Sequence, residues 1–144
     1  MNFTATLNYI YNRLPCYQRI GQAAYKENLD NTLALLEHLG NPHKKFRSIH
    51  IAGTNGKGSV SHMLASIFQE AGYTTGLYTS PHLIDFRERI QINGTYIPKK
   101  NVSSFISKYK DVIERIQPSF FEITVAMCFN YFAQQQVDIA IVET

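Results

Sequence analysis

Apolar and polar positions along this chain switch repeatedly between helical spacing and short continuous runs. Leu7, Ile10, Tyr11 and Leu14 recur at helical spacing and predict a first helix over 3–14 that stops at Pro15. A polar stretch with one glycine, 18–26, follows. Leu29, Thr32, Leu33, Leu36 and Leu39 then line a second helix, which Gly40-Asn41-Pro42 ends. A strand over 47–52 leads to a helix over 57–71, closed by Gly72, and a second strand occupies 75–79 with Gly76 in its interior. Ser80-Pro81-His82 breaks the pattern, and 88–97 alternates around Asn93-Gly94 as a small hairpin. Beyond Pro98 a helix is predicted over 102–116, stopped by Gln117-Pro118. A mostly apolar helix over 123–133 should be largely buried, and a last strand covers 137–142.

Strands separated by helices imply an α/β protein with a mostly parallel sheet flanked by helices. Such sheets bury both faces, which suits the unbroken run Ile139-Ala140-Ile141-Val142. They bind ligands outside the carboxyl ends of their strands. Three chemically distinctive features fall there: the turn after the first strand, Ser80 after the second, and Glu143 after the last.

The turn is Gly53-Thr54-Asn55-Gly56-Lys57-Gly58-Ser59. A strand, a glycine turn and a helix make an anion site, because the unpaired N–H groups of the first helical turn and the positive end of the helix dipole face the turn. Glycines let the backbone close around a phosphate, and Lys57 supplies a point charge for the outer phosphates. The common phosphate loop has four residues between its first glycine and Gly-Lys, with the hydroxyl residue next. Here only Thr54 and Asn55 intervene, and Gly58 precedes Ser59. The surrounding strand and helix still predict a nucleoside triphosphate site.

An acidic residue at the end of a central strand commonly holds the magnesium ion that bridges the outer phosphates, which makes Glu143 a candidate ligand. Magnesium prefers oxygen and keeps several waters, so one carboxylate and one hydroxyl suffice. Ser80 is the candidate hydroxyl, and Ser59 competes with it. The plainer readings are a solvated strand-end carboxylate for Glu143 and a turn residue before proline for Ser80.

Bulk properties narrow the classes. The 144 residues suit one domain or a piece of one, and 44% apolar content with nine Tyr and nine Phe is ample for a core. A net charge of +3 without a Lys/Arg stripe suits anionic ligands and not nucleic acid. No apolar run approaches membrane-spanning length, and the N-terminus shows no secretory pattern, so the expected location is the cytoplasm. Cys16 and Cys128 have no metal-ligand spacing, and Cys128, inside an apolar helix pattern, should be a small buried residue. Of the five histidines, His50 reads as a packed strand residue and His82 as a candidate for substrate contact.

The motifs, taken together, resemble the N-terminal part of the folylpolyglutamate synthase/dihydrofolate synthase family of the Mur ligase superfamily. The resemblance rests on Leu39-Gly40-Asn41-Pro42, His50 to Ser59, Gly76-Leu77-Tyr78-Thr79-Ser80-Pro81-His82-Leu83, Arg87-Glu88-Arg89-Ile90, Phe120-Phe121-Glu122 and Val137 to Glu143. It implies a P-loop-type three-layer sandwich with a small β-hairpin insertion. It also implies an ATP-dependent ligase that phosphorylates the carboxylate of a folate or dihydropteroate, after which the amine of L-glutamate attacks the acyl phosphate. Carried over by position, Gly53, Thr54, Asn55, Gly56, Lys57, Gly58 and Ser59 hold the triphosphate, with Lys57 as the catalytic cation, and Ser80 and Glu143 hold Mg2+. The loop 81–89, with His82 and Arg89, and the stretch Ser119, Phe120, Phe121 and Glu122 border the pterin-bearing substrate.

The family's Gly-Leu-Glu-Arg turn near the N-terminus has no clear equivalent in 24–29. Relatives also continue past the position of Thr144 into a glycine-rich turn, the rest of the ATP-binding domain and a C-terminal domain. The resemblance therefore implies that 1–144 is the N-terminal part of that domain and is inactive alone. Two other readings stay open: a cell-wall ligase joining an amino acid to a nucleotide-linked peptide, and a nucleotide-binding module without ligase chemistry. The guanine-reading Asn-Lys-x-Asp element of a GTP switch is absent.

Overall fold

The structure, a computed structural model, describes residues 1–13 and 29–144. The expectations for Leu14, Pro15, Cys16 and 18–26 lie outside the described residues. Two compact units form, one from Met1–Asn41 with Lys99–Met127 and the other from Pro42–Pro98 with Cys128–Thr144.

The first unit is helical. Helix α1 (Phe3–Tyr11) begins at Asn2, whose side-chain oxygen accepts the Ala5 N–H at 2.8 Å. Helix α2 (Asp30–His38) ends where Gly40 and Asn41 take positive φ and the Asn41 N–H returns to the Leu36 carbonyl at 2.8 Å. Helix α4 (Lys99–Ile116) begins directly after Pro98, three residues before the apolar repeat does, and buries Val102, Phe105, Ile106 and Ile113. Ile10 of α1 and Leu35 and Leu36 of α2 are buried in the same unit, where α4 packs against both helices.

The second unit carries the sheet. Strands β1 (Arg47–Ile51), β2 (Thr75–Tyr78), β3 (Ile90–Ile92), β4 (Thr95–Tyr96) and β5 (Ile139–Glu143) stand in the order β1-β5-β2-β3-β4. β5 pairs parallel with β1 on one side and with β2 on the other, while β3 and β4 add an antiparallel hairpin to the edge of β2. Helix α3 (Lys57–Glu70) joins β1 to β2 and packs on all three parallel strands. Ile141 and Leu77 are at most 4% exposed, and full burial of such a side chain contributes about 1.5–3 kcal/mol. This is the anticipated α/β architecture, a mixed sheet flanked by helices.

One expectation fails at the edge. β1 is not buried on both faces; Arg47, Ser48 and His50 are exposed, because β1 is the terminal strand of the sheet. Helix α5 (Phe120–Gln134) contributes residues 120–127 to the first unit and 128–134 to the second. It is largely buried as expected, with Cys128 fully enclosed and its thiol pushed well above its ordinary pKa by that burial.

Candidate nucleotide site

The register places the chemistry. Ile51 pairs with Glu143 and Tyr78 with Val142, so the segments following β1, β5 and β2 leave the sheet at one end, side by side. β5 enters between β1 and β2, and the strand-end crevice at such an insertion is where open α/β sheets take ligands.

After β1 the chain turns through Gly53 (φ 152°) and Gly56 (φ 75°). The second is the left-handed residue at the N-cap of α3, a conformation that costs an ordinary residue but not glycine. The N-cap glycine has no side chain to cap α3, so among the described residues the amides of its first turn have no side-chain acceptor and point toward the turn. Among the described residues nothing lies within 4 Å of where a Cβ would stand at either glycine. Lys57 opens the helix and donates from Nζ to the Thr144 carbonyl at 3.0 Å, which ties this cation to the end of β5. Ser59 is exposed on the first turn, and Thr54 and Asn55 are exposed in the loop.

Glu143 completes the arrangement. A Cβ on Gly58 would lie 4.0 Å from Glu143 Oε2, so the carboxylate faces the start of α3. The residue is only 4% exposed, which removes the solvated strand-end alternative. It makes no hydrogen bond or ion pair among the described residues. A buried carboxylate without a compensating cation is costly, and a divalent ion is the natural partner. The donor set fits magnesium: one carboxylate, nearby hydroxyls, and room for phosphate oxygens and water. Among the described residues no three His, Cys, Asp or Glu side chains gather as a metal cluster, so an ion here would depend on its phosphate ligands.

Ser80 follows β2 and joins Pro81 through a cis peptide bond; it is half-buried and its hydroxyl has no partner among the described residues. The loop after it is clasped by one carboxylate. Glu88 accepts the N–H groups of Leu83 (3.0 Å), Ile84 (2.9 Å) and Asp85 (2.6 Å), while Asp85 accepts the Arg87 N–H at 2.9 Å. The backbone bonds hold the Glu88 carboxyl below the usual carboxylate range. The clasp leaves Leu83 and Ile84 pointing outward, 88% and 93% exposed.

Arg89 is 5% exposed, and its Nε donates to His82 Nδ1 at 2.7 Å. Its guanidinium also hydrogen-bonds the buried Tyr78 hydroxyl, whose pKa is pushed up to about 12, chiefly by burial. Burial and the neighbouring Arg89 charge both pull the His82 pKa down.

The stretch 119–122 belongs to the helical unit. Ser119 and Glu122 form a capping box: the Ser119 N–H donates to Glu122 Oε1 at 2.9 Å, and the Glu122 N–H donates to Ser119 Oγ at 3.2 Å. Thr32 also donates to Glu122 at 3.1 Å. Phe120 is buried and stacked on Tyr11, whereas Phe121 is 47% exposed. The described contacts of Ser119, Phe120 and Glu122 are those of a helix start.

The sequence reading missed three residues. His50 is not packed but exposed, and it contacts the Thr144 hydroxyl at the strand ends. Tyr78 gives no signal beyond an apolar strand position. Glu88 was legible in principle, because Asp85-x-x-Glu88 has capping-box spacing.

The chain is 43% identical to the dihydrofolate synthase/folylpolyglutamate synthase of Bacillus subtilis, over 83% of this chain and 29% of that protein. It is 36% identical to the folylpolyglutamate synthase of Lacticaseibacillus casei, over 99% of this chain and 33% of the relative. The crystal structure of folylpolyglutamate synthase from Thermotoga maritima superposes with a TM-score of 0.87 at 39% identity, covering 98% of this chain and 32% of the other. The chain belongs to the folylpolyglutamate/dihydrofolate synthase family. A synthase of this family solved with AMPPCP and folate has a TM-score of 0.86 at 36% identity, covering 99% of this chain and 35% of that one. No protein-family model matches the chain. The chain spans about a third of the length of these relatives.

Proposed function

We propose that residues 1–144 are the N-terminal part of the ATP-binding domain of a ligase that joins L-glutamate to the carboxylate of a folate or dihydropteroate. One observation carries the reading: the start of α3 with Lys57, and the buried Glu143, which has no partner among the described residues, face each other at adjoining strand ends. The relatives' names supply the substrate class, and the AMPPCP complex supplies the nucleotide.

Each residue then has a definable task. The amides of Asn55 to Ser59 and the α3 dipole cradle the phosphates, and Lys57 offsets the charge on the outer ones. Bound Mg2+ would neutralise the β- and γ-phosphate oxygens; Glu143 would hold it, with Ser80 or Ser59 as the hydroxyl. Transfer of the γ-phosphoryl group to the substrate carboxylate brings two anions together, and this collection of cations and amides offsets their repulsion. The carboxylate becomes an acyl phosphate, the glutamate amine attacks its carbonyl carbon, and phosphate leaves. His82 and Arg89, on the loop that follows Ser80, stand where the carboxylate substrate would approach. Within the helical unit, Ser119, Phe120, Phe121 and Glu122 remain candidates for substrate contact, Phe121 being the exposed one.

Titration of the chain with a fluorescent ATP analogue tests the nucleotide half. Binding should require Mg2+, and Lys57→Ala should weaken it by about tenfold to a hundredfold, the value of one charge-assisted hydrogen bond. Equal affinity with and without Lys57 would remove the assignment. In a labelled-glutamate assay the 144-residue chain should not turn over, because it spans only about a third of the length of the relatives that carry the activity in their names.

A further inference from the structure

The chain contains two Asn-Gly steps, Asn55-Gly56 and Asn93-Gly94, and the fold treats them oppositely. Asparagine is thermally labile, and a following glycine makes it more so, because no Cβ hinders attack by the glycine's backbone nitrogen on the side-chain amide. The reaction requires the carboxamide carbon to swing onto that nitrogen. It is slow wherever the carboxamide is held elsewhere.

Both asparagines are exposed, so access does not distinguish them. Asn93 is held. It and Gly94 take positive φ, 49° and 79°, as the two central residues of the turn between β3 and β4. The Asn93 N–H donates to the Thr75 carbonyl, and Asn93 Oδ1 accepts the Thr75 N–H, both at 2.9 Å. Thr75 opens β2, so the sheet itself fixes this carboxamide. Asn55 lacks these restraints: among the described residues neither its side chain nor the Gly56 N–H makes a hydrogen bond. Gly56 is the N-cap of α3, where helix geometry leaves the N–H without an intrahelical acceptor.

We propose that Asn55 is a modification site at which the phosphate turn deamidates when it is empty. The Gly56 nitrogen attacks Asn55 Cγ, the bond from Cγ to the side-chain nitrogen breaks, and ammonia leaves with the proton from Gly56. Water then opens the five-membered imide at either carbonyl. One opening gives aspartate at position 55; the other gives its isomer, in which the main chain runs through the side chain and gains one methylene. Either product puts a carboxylate into the turn that carries Lys57 and the first amides of α3, where it repels phosphate. Phosphate oxygens bound to those amides would engage the attacking nitrogen, so MgATP protects the site. Only this protection rests on the nucleotide reading; the modification does not.

Peptide mapping by mass spectrometry, after storage of the 144-residue chain in mildly alkaline buffer, reads both sites at once. Conversion at Asn55 should run about fivefold or more faster than at Asn93, which must first break a hydrogen bond of about 1 kcal/mol. Unfolded peptides covering 50–60 and 88–98 should react at similar rates. Equal or slower conversion at Asn55 in the folded chain overturns the proposal, and so does a ratio that persists in the peptides. Binding of the fluorescent ATP analogue should decline with the converted fraction. Asn55→Gln, whose longer side chain closes the ring far less readily, should keep whatever affinity it starts with through the same storage. Asn55→Asp should weaken binding about tenfold or more, through its charge against the phosphates. With MgATP at about ten times its Kd, conversion at Asn55 should slow about tenfold, in proportion to the unliganded chain, and conversion at Asn93 should not change. An Asn55 rate unmoved by MgATP, in a chain that binds the analogue, overturns the protection. A chain that never binds the analogue would instead remove the nucleotide reading, and the ratio of the two conversion rates would still decide the modification.

Discussion

Gly76 shows how one missing side chain can shape a strand. A Cβ at this position would lie 2.8 Å from two ring carbons of Phe132, and that residue is fully buried. Gly76→Ala should therefore destabilise the chain by about 1–3 kcal/mol through overpacking, read as a lower urea midpoint. A midpoint equal to that of the unmodified chain would show that the ring shifts at little cost. Glu88 makes a different kind of prediction, because its carboxyl is held below the usual carboxylate range by the N–H groups of Asp85, Leu83 and Ile84. A lowered folded pKa means that the clasp contributes fully above the unfolded pKa and is lost as pH falls through the folded one. Amide exchange at Leu83, Ile84 and Asp85 should stay slow through neutral pH, and protection should be lost on the acid side of the ordinary carboxylate range. Glu88→Gln, with one acceptor oxygen and a competing NH2, should expose these amides at every pH. Unchanged protection in that variant would assign the loop's order to something else.

At the scale of elements, the phosphate turn was legible because several local signals agree there: an apolar strand, glycines where φ is positive, and an apolar helix period resuming at once. The strand order was not. Nothing in residues 137–142 says that β5 inserts between β1 and β2, because a parallel pairing is a long-range choice made by packing. For the same reason the exposure of β1 could not be read from Ile49 and Ile51, whose pattern suits a central or an edge strand equally. Boundaries moved where capping outweighed periodicity. Helix α5 starts at Phe120, before its apolar run, because Ser119 and Glu122 close a capping box just after Pro118. β5 starts at Ile139, after Asp138 has paired with Thr74 just ahead of β2: its N–H donates to the Thr74 carbonyl and its carboxylate accepts the Thr74 N–H, both at 2.8 Å. The capping box carries its own test. Ser119→Ala should cost about 1 kcal/mol in a thermal or urea melt, with the fold otherwise intact. A larger loss would mean that Ser119 does more than cap the helix.

At the scale of the whole molecule, the candidate site is a meeting of segments far apart in sequence: 53–59, 80–89 and 143. Each residue type could be read singly; their convergence depends on β5 lying in the middle of the parallel strands. The structure adds that Glu143 is buried and makes no hydrogen bond or ion pair among the described residues, and this sets stability against function. Such a carboxylate is a cost to the unliganded chain, of the kind that functional sites carry and that stability alone would not retain. Glu143→Gln keeps the shape and removes the charge, so without ligand it should be more stable than the unmodified chain by about 1 kcal/mol. With Mg2+ and ATP the order should reverse. Ligand at a hundred times its Kd stabilises a folded chain by about 2.7 kcal/mol, and the Gln variant should lose most of that gain together with its dependence on Mg2+. Melting curves of both chains, with and without the metal–nucleotide, read the two signs in one experiment. A Gln variant that is less stable in the unliganded state would mean that the carboxylate is structural and that its partner is not a bound ion.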